Sequence, residues 1–311
     1  PVSGEWVVAE SRAAALERAG KIQGRRTTAG FGPPLAVPEG EWALTLVTSW
    51  VEPAYLETDA SWCEPGGEPA GPLANGGAFG GKAESEVAAA ARRLADEWGR
   101  PVRALYSRED AVRRGPKRPP IAAGVRSDGS GVLRAVRTPG VAEAVASVAP
   151  GLVVEEVDVP GPRTSTAIRG AGWVEAAVLL AGLRGEVGWI EAPGGGAATA
   201  SVGPDGRLSV GVRAGDPLDE TVLRSYCTGA AHMALSWVTS ESLAVDEAGE
   251  VHDLTMRSFG VLRAVDTPRI DVTIEPSEHE PVNGSDAVFA AVAAAVWLDR
   301  GCPEVWPAGV S

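Results

Sequence analysis

Hydrophobic positions recur along this chain with two periods, about 3.6 residues and about two, and the switches between them mark out its elements. Residues 11–20 predict a short helix, with Ser11 as N-cap and Ala15, Leu16 and Ala19 on one face. Residues 41–51 are strand-like: Leu44, Leu46 and Val47 lie beside threonines, between Trp42 and Trp50. Helical spacing returns over 84–98, with Val87, Ala91, Leu94 and Trp98 inward and Arg92, Arg93, Asp96 and Glu97 outward. Gly99 ends that helix as a left-handed cap, and 102–107 alternate as a strand. The basic, proline-containing stretch 113–120 reads as an exposed loop.

The same recipe then appears twice. Asp128-Gly129 precedes the apolar run 132–136, and Asp205-Gly206 precedes 208–212, each the signal of a hairpin. A third strand–turn–strand signal surrounds Ala248-Gly249, over 244–256. Apolar helices are predicted over 173–183 and 287–298, the latter capped by Ser285 or Asp286, and a glycine-rich loop over 188–199. The longest helix candidate is 221–243. One stripe of it is Val222, Tyr226, Ala230, Met233 and Trp237; another, without full charge, is Ser225, Thr228, His232, Ser236 and Thr239. These elements predict an α+β fold of two related mixed layers. The halves are 1–160, carrying a Gly-rich loop at 76–82, and 161–311, carrying an acidic loop at Glu280.

Composition narrows the function. With 311 residues, 44% of them hydrophobic, the chain can bury one large core or two modest ones. Its net charge of −13 argues against nucleic acid or an anionic membrane as partner. Cys63, Cys227 and Cys302 are odd in number and far apart, which argues against a disulfide framework and against a Cys-x-x-Cys metal site, and fits a cytoplasmic protein. No leader pattern or membrane-length apolar run is evident. Ten tryptophans against four phenylalanines suit an aromatic-lined pocket or a packed core.

The chemistry-bearing stretch is Gly76-Gly77-Ala78-Phe79-Gly80-Gly81-Lys82, running into the 84–98 helix. Glycines there can point several N–H groups one way, and the helix start adds its positive end, which suits an anion. A tight turn packed under a helix is the other reading. Lys82 is followed by Ala83, so this is no nucleotide P-loop.

This loop, with Gly99-Arg100-Pro101-Val102, Ser107-Arg108-Glu109-Asp110 and Ile168-Arg169-Gly170-Ala171-Gly172, resembles the molybdenum-binding subunit of the xanthine dehydrogenase and aldehyde oxidase family. Pro53-Ala54-Tyr55-Leu56-Glu57 is a shorter match, and the likeness resumes from Gly229 to the end. The resemblance implies Gly77, Ala78, Phe79 and Gly80 against a molybdenum cofactor, Phe79, Gly80 and Arg169 at the substrate, and Glu280 as the base. It also implies partner subunits carrying iron–sulfur and flavin groups, with a homo-oligomer as the alternative.

Read from its own chemistry, Arg169 offers a rigid fork for a carboxylate or carbonyl oxygen, or else caps a turn. Glu280, beside Glu278 and His279, can be tuned for proton transfer, or belongs to an ordinary acidic loop ahead of a helix. His232 is a packing residue or an acid–base group.

Departures from the family matter as much. The Gly-Gln-Gly segment for the cytosine nucleotide is missing, Ser277-Glu278-His279 replaces the Gly-x-Gly before the glutamate, and Ala83 replaces an acidic residue. Losing several donors together implies that the chain alone holds no cofactor. The first reading is therefore a repurposed enzyme doing metal-free acid/base chemistry on a small organic molecule: cyclisation, isomerisation or elimination by Glu280, His279 or His232. The alternatives are a hydroxylase using the molybdenum cofactor, molybdopterin cytosine dinucleotide, and a non-catalytic scaffold subunit.

Overall fold

The computed structural model describes residues 2–3, 5–20, 29–54, 57–71, 78–83, 85–275 and 279–309. At the start, β1 (Val2–Ser3) and β2 (Trp6–Val7) pair antiparallel ahead of α1 (Arg12–Ala19), which Ser11 caps by accepting from the Ala14 amide. After β3 (Leu44–Val47), a small unit forms from β4 (Ala60–Cys63), α2 (Val87–Trp98) and β5 (Val102–Leu105), followed by α3 (Arg108–Arg114). Its own core gathers Cys63, Val87, Ala91, Ala104 and Tyr106. The helix ends where expected, at Gly99 in the left-handed region.

The two hairpins found in the sequence seed two layers of the same topology. β6 (Ile121–Val125) and β7 (Gly131–Val136) pair antiparallel; α4 (Val141–Ala146) then crosses over to β8 (Leu152–Val157), which runs parallel to β7. α5 (Trp173–Arg184) follows. In the second layer, β9 (Ile190–Glu191) precedes the antiparallel pair β10 (Ala197–Val202) and β11 (Leu208–Arg213). α6 (Glu220–Thr239) crosses to β12 (Ile270–Ile274), parallel to β11, and α7 (Ser285–Asp299) closes the unit. Sheet orders β3-β6-β7-β8 and β9-β10-β11-β12 match strand for strand. This is the α+β fold of two related layers.

One core spans both layers. α5 and α7 are apolar on every side because they lie inside it; every residue of α7 from Ala287 to Trp297 is buried. Their N-termini lie at the same end: Arg118 touches Glu175 of α5 and faces Phe289 of α7, while a side chain on Gly182 of α5 would overlap Trp297. Trp50, Trp173, Trp237, Trp297 and Trp306 pack in the interior, so these five fill cores. No helix among the described residues is long and apolar enough to cross a membrane.

Several expectations need correction. The basic stretch is not an exposed loop: Lys117 and Arg118 are completely buried, because each meets a carboxylate inside. Val222 and Tyr226 face outward, since Leu223 and Cys227 take the inner face at the start of α6. The 188–199 loop contains β9 and enters β10, and the 244–256 unit closes with a single bridge, Val245 to Val251. Asn283, rather than Ser285 or Asp286, accepts from the first amide of α7.

Candidate active site around Arg169

Phe79 sits in a single tight turn, Ala78–Gly80, in which Ala78 and Phe79 both have φ of +53°. A left-handed conformation costs a residue with a side chain about 1–2 kcal/mol, so the surroundings must impose it. They do: the Phe79 carbonyl accepts from the Arg169 amide at 3.2 Å, and Arg169 is itself left-handed, with φ of +51°. Gly80 lies so close to the Ala167 carbonyl oxygen that a Cβ would overlap it. The Phe79 ring stays half in solvent, 5.8 Å from the Arg169 guanidinium carbon.

Behind this joint lies a group of buried charges. Arg169 donates from Nη1 to Glu241 Oε2 at 3.2 Å and from Nη2 to the Pro53 carbonyl at 3.1 Å. Arg118 forms a two-pronged pair with Glu175, at 2.9 and 2.8 Å, and donates to the carbonyls of Ile168 and Arg169. Its guanidinium also lies 4.0 Å from the Trp237 ring centroid. Lys117 Nζ stands 2.9 Å from Glu52 Oε2 and donates to the Gly115 carbonyl at 2.5 Å. Three cations thus face three carboxylates, which is how charge survives burial. Glu175 does a second job, accepting at 2.8 Å from the Gly172 amide that α5 leaves unpaired.

Burial sets the titration of this group. It pushes Glu52 above the usual carboxylate value, against the pull of Lys117, and pushes Lys117 below the usual ammonium value, against the pull of Glu52. Asp286, in the first turn of α7, is likewise raised by burial, with Arg118 opposing. A cavity of about 10 Å³, the size of one water, touches Glu52, Thr58, Arg108, Met256 and Phe259.

The structure therefore brings Phe79, Gly80 and Arg169 together. Ala78 lies in the same turn, whereas Gly77, Tyr55, Leu56 and Glu278 fall outside the described residues. His279 and Glu280 sit on an exposed loop along the end of β11: the His279 carbonyl accepts from Asp216 N at 2.8 Å, and the Glu280 carbonyl fills the space beside Gly215. His232 Nε2 lies 2.9 Å from the Leu262 carbonyl, and Ser236 holds the Leu262 amide at 2.8 Å, so these two residues of the uncharged stripe fasten the segment around Leu262 to α6. Glu52, Lys117, Arg118, Glu175 and Glu241 escaped the sequence reading. The available signal was a lone charge inside or beside an apolar run, as with Glu175 in α5.

One set of metal-ligating atoms lies close together among the described residues, on Asp246, Glu250 and His252. Asp246 already braces a turn there, accepting from the amides of Ala248 and Glu250 and meeting His252 Nε2 at 2.7 Å. The three cysteines are unpaired, and burial pushes the Cys227 thiol up to about 11. The turn at Phe79 is closed as well: the Ala167 carbonyl fills the open side of Gly80, and Arg169 spends two donor groups on Glu241 and Pro53.

No protein-family model and no curated protein sequence matches the chain. Solved structures do. Quinoline 2-oxidoreductase from Pseudomonas putida 86 superposes with a TM-score of 0.59 at 9% identity, covering 85% of this chain and 74% of that one. Reconstituted CO dehydrogenase from Oligotropha carboxidovorans gives 0.46 at 10% identity, covering 80% and 70%. Aldehyde oxidoreductase from Desulfovibrio gigas gives 0.30 at 15% identity, covering 62% and 35%. The first likeness carries the argument, and at such low identity it establishes architecture. The chain shares its fold with quinoline 2-oxidoreductase over 85% of its own length.

Proposed function

We propose that this fold has been repurposed for metal-free acid/base chemistry on a small organic molecule, with Glu52 and Lys117 as the proton-handling pair. The supporting observation is their buried contact at 2.9 Å, with burial driving the acid up and the base down beside a cavity. Opposed shifts narrow the gap between the ionic and neutral forms, the condition under which a proton moves both ways at modest cost. Met256 and Phe259 wall the cavity, and an unbranched Met side chain can re-pack to admit a substrate. The carboxylate would remove a proton next to a carbonyl and the ammonium would return one, giving isomerisation, cyclisation or elimination. In this reading the chain alone holds no molybdenum cofactor.

The test is deuterium incorporation from heavy water into a set of enolisable carbonyl compounds by metal-free protein. Wild type is expected to exchange, and Glu52→Gln to lose about 10²-fold or more. Equal exchange by the variant overturns the assignment, and near-stoichiometric molybdenum in protein from a cofactor-making host overturns the metal-free reading. A scaffold subunit, assembled with family-type partners, is the second reading. It is favoured by the complete pairing of Arg118 with Glu175 inside the core.

A further inference from the structure

The N-terminal arm lies across the small α2–β5 unit and encloses a cleft of about 470 Å³, within the range of small-molecule sites. Trp6 stacks on Tyr106, with ring centroids 5.6 Å apart and planes 13° from parallel. Ion pairs of Glu5 with Arg114 and of Glu10 with Arg100 fasten the arm. Trp98 and Leu16, 38% and 44% exposed, add apolar surface facing the same cleft.

Charge selects the occupant. In a chain of net charge −13, five arginines line this cleft against three carboxylates. Arg100 and Arg114 are spent on the arm, and Arg18 donates to the Val8 carbonyl at 2.8 Å. Arg12 and Arg103 have no carboxylate partner among the described residues, although both border the cleft. A guanidinium prefers a planar, two-oxygen anion, and the neighbouring aromatic faces prefer a flat ring.

We infer that this cleft is a binding site for a planar aromatic anion, its ring against Trp6 and Trp98 and its acid group on Arg12 and Arg103. The site is separate from Glu52 and stands whether or not the acid/base reading holds.

Calorimetric titration of the full chain with 2-naphthoate, and with uncharged 2-naphthamide, tests it. Naphthoate is expected to bind at least about tenfold more tightly than naphthamide. Arg12→Ala/Arg103→Ala should remove that preference, and Trp98→Ala should weaken both compounds, whereas Glu52→Gln should bind naphthoate as wild type does. Equal affinity of wild type for the two compounds, no binding of naphthoate at millimolar concentration, or an unchanged preference in the double variant would each overturn the proposal. The first two need no variant, so a misfolded substitution cannot mask the answer.

Discussion

Arg118 and Glu175 meet through two parallel hydrogen bonds, Nε to Oε1 at 2.9 Å and Nη2 to Oε2 at 2.8 Å, where solvent reaches neither side chain. The pair sits between the first turns of the equivalent helices α5 and α7, where Glu175 and Asp286 offset a cation that helix N-termini would otherwise repel. Breaking it should be costly. Arg118→Met leaves Glu175 buried without its counter-charge and should lower stability by about 3–5 kcal/mol. Arg118→Met/Glu175→Leu should recover much of that loss but not all, because the Ile168 and Arg169 carbonyls still lose their donor. Urea unfolding of the single and double variants checks this; a double variant no more stable than Arg118→Met would contradict it.

Glu52 gives stability a pH signature. Its folded value lies above the ordinary 4.5, with burial as the largest cause. Below that range the group is protonated in both states. As pH rises through it the unfolded chain releases its proton first, so unfolding becomes easier until the folded value is passed. Asp286, also raised, adds a limb of the same sign, while Asp158 and Asp246, lowered by Arg137 and His252 respectively, act oppositely. Glu52→Gln should remove its own part of the decline while lowering stability overall, since Lys117 then lacks its counter-charge. Urea midpoints of both proteins across about pH 4 to 7 report the difference, and parallel curves would contradict it.

What the sequence revealed, and what it hid, follows from range. Asp128-Gly129 and Asp205-Gly206 specify their turns locally, and the apolar periods of α5 and α7 are carried by consecutive residues, so the doubled layer could be read directly. Lys117 and Arg118 were misjudged because their partners, Glu52 and Glu175, are far away along the chain. A basic stretch between prolines looks solvated until the fold supplies its carboxylates. The Phe79–Arg169 joint was half legible: the residues were picked out singly, whereas their backbone contact depends on tertiary packing.

Two glycines separate strain from overlap. Gly80 and Gly129 both have positive φ, +92° and +82°, so a side chain is strained at either. At Gly129 the nearest obstacle to a Cβ is the movable end of Leu180, at 3.7 Å; at Gly80 it is the Ala167 backbone. Gly129→Ala should therefore cost about 1–2 kcal/mol. Gly80→Ala should cost clearly more and should disturb Arg169, because the turn must back away from the segment whose amide it accepts. Comparing the two by thermal unfolding tests the argument, and a smaller loss at Gly80 would refute a fixed joint.

Glu280 and Glu52 provide opposite controls. Glu280 is exposed, on a loop held along β11 through backbone contacts, so Glu280→Gln should alter stability by no more than about 0.5 kcal/mol. If Glu52 is the proton acceptor, the same variant should keep deuterium exchange within a few fold of wild type. The reverse pattern, a loss of about 10²-fold in Glu280→Gln with stability unchanged, would move proton transfer to the loop ahead of α7. Glu52 would then be a purely structural charge. The comparison works because Glu280→Gln disturbs no buried ion pair, so a loss of exchange in that folded variant can be read as chemistry.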